Sequence, residues 1–274
     1  MTSRLSIGAD TQLCGIALHP AGHTRSPAMH NAAFSALGVD AAYLAFDVLP
    51  EDLSDAISGV RALGIRQLAI SIPHKESVIA LLDSVDDVAQ RIGAVNTVTR
   101  RGAKLVGSNT DWLGAVRAIE STTELADARA VVLGAGGAAR AVVYGLRARG
   151  AMVTVLNRSE DRARQLCADL EAEGSGPISK LESLPHDILV NTTSVGLAGD
   201  ESPVDPSWIS AGAVVMDAVY EPPETRLLRD AASRGARTIS GKWMLVHQAA
   251  EQLREWTGLE APIDVMAEAF DAAG

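Results

Sequence analysis

Four short polar clusters and one glycine-rich turn hold the residue types that chemistry requires. The clusters are His23-Thr24-Arg25-Ser26-Pro27, Ser71-Ile72-Pro73-His74-Lys75, Asn96-Thr97 and Asn109-Thr110-Asp111. Each stands at the end of a candidate strand, where ligands of open α/β sheets bind. Hydroxyls, amides, one lysine and one aspartate together suit a small polyhydroxylated ligand.

The turn Gly134-Ala135-Gly136-Gly137-Ala138-Ala139 fits G-x-G-x-x-G/A, with an apolar run before it and a helical pattern after it. Gly134 permits the tight turn, Gly136 lets backbone approach a pyrophosphate, and Ala139 keeps helix and strand close. The helix then offers its free N–H groups and positive dipole end to phosphates. An NAD site usually ends its second strand, about 20 residues on, with a carboxylate for the ribose hydroxyls. Here that position is Asn157, followed by Arg158, Ser159 and, one helical turn later, Arg162. Two guanidiniums and a hydroxyl, without a carboxylate that would repel a 2′-phosphate, point to NADP(H) rather than NAD(H). The competing reading is that Arg158 and Arg162 only solvate a helix start beside Glu160 and Asp161.

The elements that position these residues alternate. LCGIAL, AYLAFDV, QLAISI, NTVT, AVVLGA, MVTVLN, DILVNTT and AVVMDAVY read as strands. SPAMHNAAFSALG, EDLSDAISGVRALG, ESVIALLDSVDDVAQRIG, AARAVVYGLRARG, EDRARQLCADLEAEG and TRLLRDAASRG read as helices, several closed by glycine. Such alternation predicts an α/β fold with doubly wound, mainly parallel sheets. The βαβ unit begins near Ala130, too late for a single N-terminal nucleotide domain, so a first domain precedes about residue 112. The C-terminal helix MLVHQAAEQLREWTG has apolar residues at Met244, Leu245, Ala249, Leu253 and Trp256 and is expected to pack back onto that first domain.

Composition narrows the function classes. A chain of 274 residues, 47% hydrophobic but only 4% aromatic, builds its core from Ala, Val, Leu and Ile. The net charge of −10 has the wrong sign for a nucleic-acid or anionic-membrane binder, and no Lys/Arg run occurs. Cys14 and Cys167 lack metal-ligand spacing, so no metal is expected, and a reducing cytoplasmic setting fits. No stretch reaches about 18 consecutive apolar residues, and MTSRLSIGADTQ lacks a signal-peptide core. HExxH, Walker A and GxSxG motifs are absent. His23, His74 and His247 are therefore expected to be structural or supporting.

The segments GHTRSPAMHN, ISIPHK, IGAVNTV, SNTDWLG, LGAGGAAR, NRSEDR, NTTSVG and MLVHQAA, in this order and spacing, resemble the shikimate dehydrogenase family over nearly the whole chain. The resemblance implies a substrate domain of residues 1–112 completed by 241–274, and a Rossmann-type NADP-binding domain over 113–240. It implies reversible NADPH-dependent reduction of 3-dehydroshikimate to shikimate, by a monomer or homodimer. It marks Lys75 and Asp111 as catalytic, and Thr24, Ser26, Ser71, Asn96, Tyr220 and Gln248 as substrate-binding. On the cofactor side it marks Gly134, Ala135, Gly136, Gly137 and Ala138; Asn157, Arg158, Ser159 and Arg162; the strand-end turn Thr192-Thr193-Ser194, with Thr192 and Ser194 as ligands; and Gly241 and Met244 near the nicotinamide.

The chain departs from the family pattern in three places. Thr24 replaces a serine and Arg25 follows it; Ala69-Ile70-Ser71 stands for the usual Asn-Val-Thr; and Ser240-Gly241-Lys242-Trp243-Met244 replaces Asp-Gly-Leu-Gly-Met. Donor and acceptor capacity survives at Thr24. The other two changes alter pocket shape, which keeps open a quinate/shikimate or aminoshikimate-type dehydrogenase. A non-catalytic ligand or redox sensor, and a folate-linked dehydrogenase of similar layout, are the remaining alternatives.

Overall fold

The computed structural model describes residues 7–22 and 24–273. His23, named above as structural or supporting, lies outside the described residues. The chain divides into two compact units, one containing the described residues to Thr110 together with those from Gln248 onward, the other Asp111–His247.

The first unit is built on strands β1 (Gln12–Leu18), β2 (Ala41–Asp47), β3 (Gln67–Ile70), β4 (Ser84–Val85), β5 (Thr97–Arg101) and β6 (Lys104–Ser108). They form one sheet in the order β2-β1-β3-β5-β6-β4. β1, β2 and β3 are parallel, as the alternation predicts. β5 is antiparallel to both β3 and β6, so this sheet is mixed. The departure begins where β5 pairs antiparallel with β3, and β6, which no strand signal marked, continues it by folding back on β5 as a hairpin with Arg101 opposite Lys104.

Helices α1 (Ser26–Leu37), α2 (Leu53–Ala62) and α3 (Asp87–Ile92) belong to this unit. The single helix expected over ESVIALLDSVDDVAQRIG is instead three pieces: a 3₁₀ turn at Ser77–Leu81, β4 and α3. Polar side chains break it. The Asp83 carboxylate accepts from the Leu105 N–H at 2.7 Å and from Arg61, drawing residues 84 and 85 into the sheet. Asp86 then starts α3 by accepting from the Ala89 N–H at 2.6 Å.

The second unit holds β7 (Arg129–Leu133), β8 (Met152–Leu156), β9 (Gly174–Gly176), β10 (Ile188–Asn191), β11 (Val214–Asp217) and β12 (Arg237–Ile239), with α4 (Asp111–Glu120), α5 (Gly137–Ala148), α6 (Glu160–Asp169) and α7 (Arg226–Ser233). Its sheet, in the order β12-β11-β10-β7-β8-β9, is parallel throughout. The order reverses between β7 and β10, the place where doubly wound sheets bind nucleotides. Alanine and β-branched side chains fill both faces: Val132, Val153, Val190 and Val214 on one, Val131, Leu133, Leu189 and Val215 on the other.

The unit boundary falls inside α8 (Gly241–Thr257), which is followed by α9 (Ile263–Ala272). The C-terminal half of α8 packs in the first unit, where Gln252 bonds Asn96 and Thr97. Among the described residues no helix is long and apolar enough to cross a membrane, and no group of three His, Cys, Asp or Glu side chains is placed to hold a metal ion.

Candidate active site

The strand directions of the first unit bring the polar clusters to one sheet edge. β1 and β3 are parallel with Ala17 beside Ile70, so their C-terminal ends coincide. β5 runs the other way and opens at that edge, where β6 closes. Ser71 therefore leaves β3, Asn96 precedes β5 and Asn109-Thr110 follows β6, all at the same end. Backbone bonds fix the arrangement: Ile70 N–H donates to the Asn96 carbonyl at 2.7 Å, Val95 N–H to the Lys75 carbonyl at 2.8 Å, and Ser71 N–H to the Ala17 carbonyl at 3.0 Å. Lys75 is half-buried in the turn after β3.

Asn96 is the centre of a buried amide cluster. Its Oδ1 accepts from the Thr110 N–H at 2.8 Å, which fixes the orientation of the amide because that backbone group can only donate. Its Nδ2 therefore faces Thr110 Oγ1 at 3.0 Å and donates to Gln248 Oε1 at 3.2 Å. Gln248 is oriented in consequence with its Oε1 toward Asn96 and Thr110. Beneath this layer Gln252 Nε2 donates to Thr97 Oγ1 at 2.9 Å and Gln67 Nε2 to the Gln252 carbonyl at 2.8 Å. All of these side chains are buried, so the bonds are made in a low-dielectric interior where a missing partner is costly.

Thr24 and Ser26 stand together at the start of α1, where the Ser26 N–H donates to Thr24 Oγ1 at 3.4 Å. One turn further along, Asn31 grips β2 by donating from Nδ2 to the Tyr43 carbonyl at 3.0 Å and accepting from the Tyr43 N–H at 2.8 Å. The His30 ring stacks on Tyr43, 4.1 Å between centroids and 1° from parallel. Burial pushes the His30 pKa down to about 3, so the ring is neutral. His74 is also buried, and its Nε2 bonds the Val48 carbonyl at 2.8 Å. That is a supporting role, as expected of it.

The second unit carries the glycine-rich turn between β7 and α5. Gly134 has φ +115°, and a Cβ there would lie 2.5 Å from Thr192 Oγ1, so the turns after β7 and β10 touch. Thr192 closes the contact by donating to the Leu133 carbonyl at 2.6 Å. At Gly136, by contrast, a Cβ would meet nothing within 4 Å: the backbone borders open space at the start of α5. Ala135, Gly137 and Ala138 are partly exposed around it.

At the end of β8, Asn157 Nδ2 donates to the Ser159 carbonyl at 3.0 Å, shaping the turn that exposes Arg158 and Ser159. Asp161 pairs with Arg164 at 2.8 Å, and among the described residues no ion pair engages Arg158 or Arg162. These residues fit a 2′-phosphate, and the open backbone at Gly136 fits a pyrophosphate.

The remaining assigned residues are spread through the same unit. Asp111 is buried as the first residue of α4, Tyr220 is half-buried after β11, and Ser194 is exposed after β10. Gly241 opens α8 where a Cβ would be 2.6 Å from the Ala218 carbonyl oxygen, and Met244 is packed in the core of the unit. Sequence reasoning missed the residues that brace these turns. Buried Asn191 donates to Asp217 Oδ1 at 2.9 Å, and Asp217 Oδ2 accepts from Thr225 Oγ1 at 2.7 Å. Burial raises the Asp217 pKa against the pull of these bonds. The signal was present as polar residues closing the apolar runs DILVN and AVVMD.

Three family models match the chain: the shikimate dehydrogenase substrate binding domain over residues 16–98, shikimate / quinate 5-dehydrogenase over 117–196, and the shikimate 5'-dehydrogenase C-terminal domain over 241–269. The shikimate dehydrogenase (NADP(+)) of Thermococcus kodakarensis is 46% identical over 258 residues, 92% of this chain and 93% of the relative. The crystal structure of shikimate 5-dehydrogenase from Thermus thermophilus, in complex with NADP(H) and shikimate, is similar with a TM-score of 0.91 at 38% identity, covering 96% of this chain and all (100%) of the other. The ligand-free 5-ketofructose reductase of Gluconobacter sp. strain CHM43 is similar with a TM-score of 0.89 at 36% identity, covering 97% and 100%.

Proposed function

This chain belongs to the shikimate dehydrogenase family, and we propose on that premise that it is an NADP-dependent oxidoreductase that interconverts 3-dehydroshikimate and shikimate. The observation that carries the reading is the presence, at one sheet edge, of Lys75 and the buried Asn96–Gln248 amide pair. Residues 1–112 with 241–274 take the substrate, and residues 113–240 take the cofactor.

Thr24, Ser26, Ser71, Asn96, Tyr220 and Gln248 bind the hydroxyl and carboxylate groups of the substrate. Their fixed donors and acceptors orient the ring at little entropic cost in the bound state. Bound NADPH supplies the hydride that reaches the ketone carbon. As that bond forms, the carbonyl π pair moves onto oxygen, and Lys75 Nζ meets the developing charge with its proton or its positive field. Asp111 is assigned to the same proton-transfer step as Lys75. In the oxidation direction the alcohol proton leaves toward Lys75 and the hydride leaves from carbon. Gly134, Ala135, Gly136, Gly137 and Ala138 receive the pyrophosphate at the start of α5, Thr192 and Ser194 border the cofactor from the turn after β10, Gly241 and Met244 lie near the nicotinamide, and Asn157, Arg158, Ser159 and Arg162 hold the 2′-phosphate.

The protein acts in the cytoplasm on small molecules rather than nucleic acid, which its net charge of −10 supports, as a monomer or homodimer. A second reading, reduction of another polyhydroxylated ketone, is favoured by the likeness to 5-ketofructose reductase and by the change to Ala69-Ile70-Ser71. Nicotinamide absorbance with shikimate, quinate and 5-ketofructose, each against both phosphorylated and unphosphorylated cofactor, separates the readings. Turnover confined to shikimate with NADP⁺ supports the first; turnover of 5-ketofructose with NADPH and none of shikimate replaces it with the second.

A further inference from the structure

We infer that Arg25 and Phe270 form a latch through which the C-terminal helix α9 positions the hydroxyls of Thr24 and Ser26. The inference rests on the assignment of Thr24 and Ser26 to the substrate, and adds to it two positioning residues and a helix that no motif marks.

Arg25 occupies the position just before α1, where Ser, Thr, Asp or Asn normally accepts a bond from the first helical N–H groups. Its side chain makes no capping bond, and Pro27 supplies the helix start instead. Arg25 is only 7% exposed, and its guanidinium turns into the unit rather than away from it. Nη1 donates to the Phe270 carbonyl at 3.2 Å, and the guanidinium carbon lies 4.5 Å from the centre of the Phe270 ring. Phe270 is itself buried, in the last turn of α9.

Both contacts are directional and both favour a cation. The carbonyl lies in the last turn of α9, at the negative end of the helix dipole, and Arg25 shares it with the Ala273 N–H, which donates to it at 3.3 Å. The ring face adds a cation–π attraction that is stronger when desolvated. A planar guanidinium satisfies the carbonyl and the ring face together, which lysine does less well. Because Arg25 lies between Thr24 and Ser26 in the chain, fixing its side chain fixes the backbone on which both hydroxyls ride. Asn31 and His30 hold the same helix from the β2 side through Tyr43, so α1 is held at two points.

The test is steady-state kinetics on the whole protein for Arg25→Met, Phe270→Leu, the double variant and Arg25→Lys, with Ser26→Ala as control. The latch predicts a shikimate KM raised about tenfold in Arg25→Met and by a smaller factor in Phe270→Leu, kcat within about threefold, and an unchanged NADP⁺ KM. The double variant is no worse than Arg25→Met, which already removes both contacts, whereas Phe270→Leu removes the ring and leaves the backbone carbonyl; Arg25→Lys recovers part of the loss. If Ser26→Ala raises the shikimate KM while Arg25→Met and Phe270→Leu do not, the latch is overturned and the site reading stands. An equal rise in the NADP⁺ KM, or fully additive effects, also overturns it, since a loosened fold would do either. If Ser26→Ala has no effect, the site reading falls and the latch with it. Should Arg25→Met fail to fold, Phe270→Leu and Arg25→Lys carry the same comparison.

Discussion

Asn96 Nδ2 donates to Gln248 Oε1 across 3.2 Å, joining the strand edge of the first unit to a helix 152 residues further along the chain. The Thr110 N–H fixes the orientation of Asn96, and Asn96 fixes that of Gln248. The two amides therefore form a preset donor and acceptor pattern rather than two independent rotors. Gln248→Ala removes a donor and leaves Asn96 Nδ2 with one acceptor fewer in a buried site. A shikimate KM raised about tenfold or more, with NADP⁺ binding unaltered, is the expected outcome in steady-state kinetics. A change confined to cofactor affinity would remove Gln248 from the substrate site.

Lys75→Ala removes the only group assigned to meet charge on the substrate oxygen. We expect kcat to fall by about 10²-fold or more, while NADPH binding measured by fluorescence stays near the wild-type value. Unchanged turnover would take Lys75 out of the chemistry.

Arg158→Ala separates the two nicotinamide cofactors. If Arg158 holds the 2′-phosphate as proposed, its loss weakens NADPH about tenfold or more and leaves NADH nearly unaffected, as read by titration. Equal losses for both would place Arg158 outside the phosphate site.

Glu255 gives the stability of the first unit a pH dependence of unusual sign. Burial pushes its pKa up to about 7, with Asp86 and Glu251 adding to the rise, while the bond from Ser108 Oγ at 2.8 Å and the charge of Arg101 oppose it. A folded pKa above the unfolded value of 4.5 means that the fold holds the proton more tightly. The contribution is complete below about pH 4.5 and is lost as pH rises through about 7. Glu255→Gln is therefore expected to gain on wild type by roughly 1–3 kcal/mol between pH 5 and 8 in urea unfolding. His30, depressed to about 3, acts in the opposite direction but equally in both proteins, so it drops out of the difference. A difference that does not change with pH would contradict the burial of a charged Glu255.

The elements that carry the proposed cofactor residues were readable because their signals are contiguous. Gly134 to Ala139 and Asn157 to Arg162 each form a local turn beside a long apolar strand, and the turn geometry depends on neighbours in sequence. The substrate half was readable as polar clusters but not as a cluster of contacts. Nothing local relates Asn96 to Gln248 or Arg25 to Phe270, which lie 152 and 245 residues apart. Short elements escaped for a different reason: β4 has two residues and β9 and β12 three each, too few for a period to register, while Lys104 and Gly107 interrupt the apolar run of β6. The helical pattern over residues 76–93 misled because apolar spacing continues through Asp83 and Ser84, whereas the Asp83 carboxylate is committed to β6 and Arg61.

The most direct measurement uses NADPH carrying deuterium at the transferred position of the nicotinamide, incubated with the protein and 3-dehydroshikimate. The expected product is shikimate with one deuterium on the carbon that was the ketone, formed at a rate that Lys75→Ala lowers about 10²-fold. Unlabelled product, or no shikimate while NADPH binds, would contradict it.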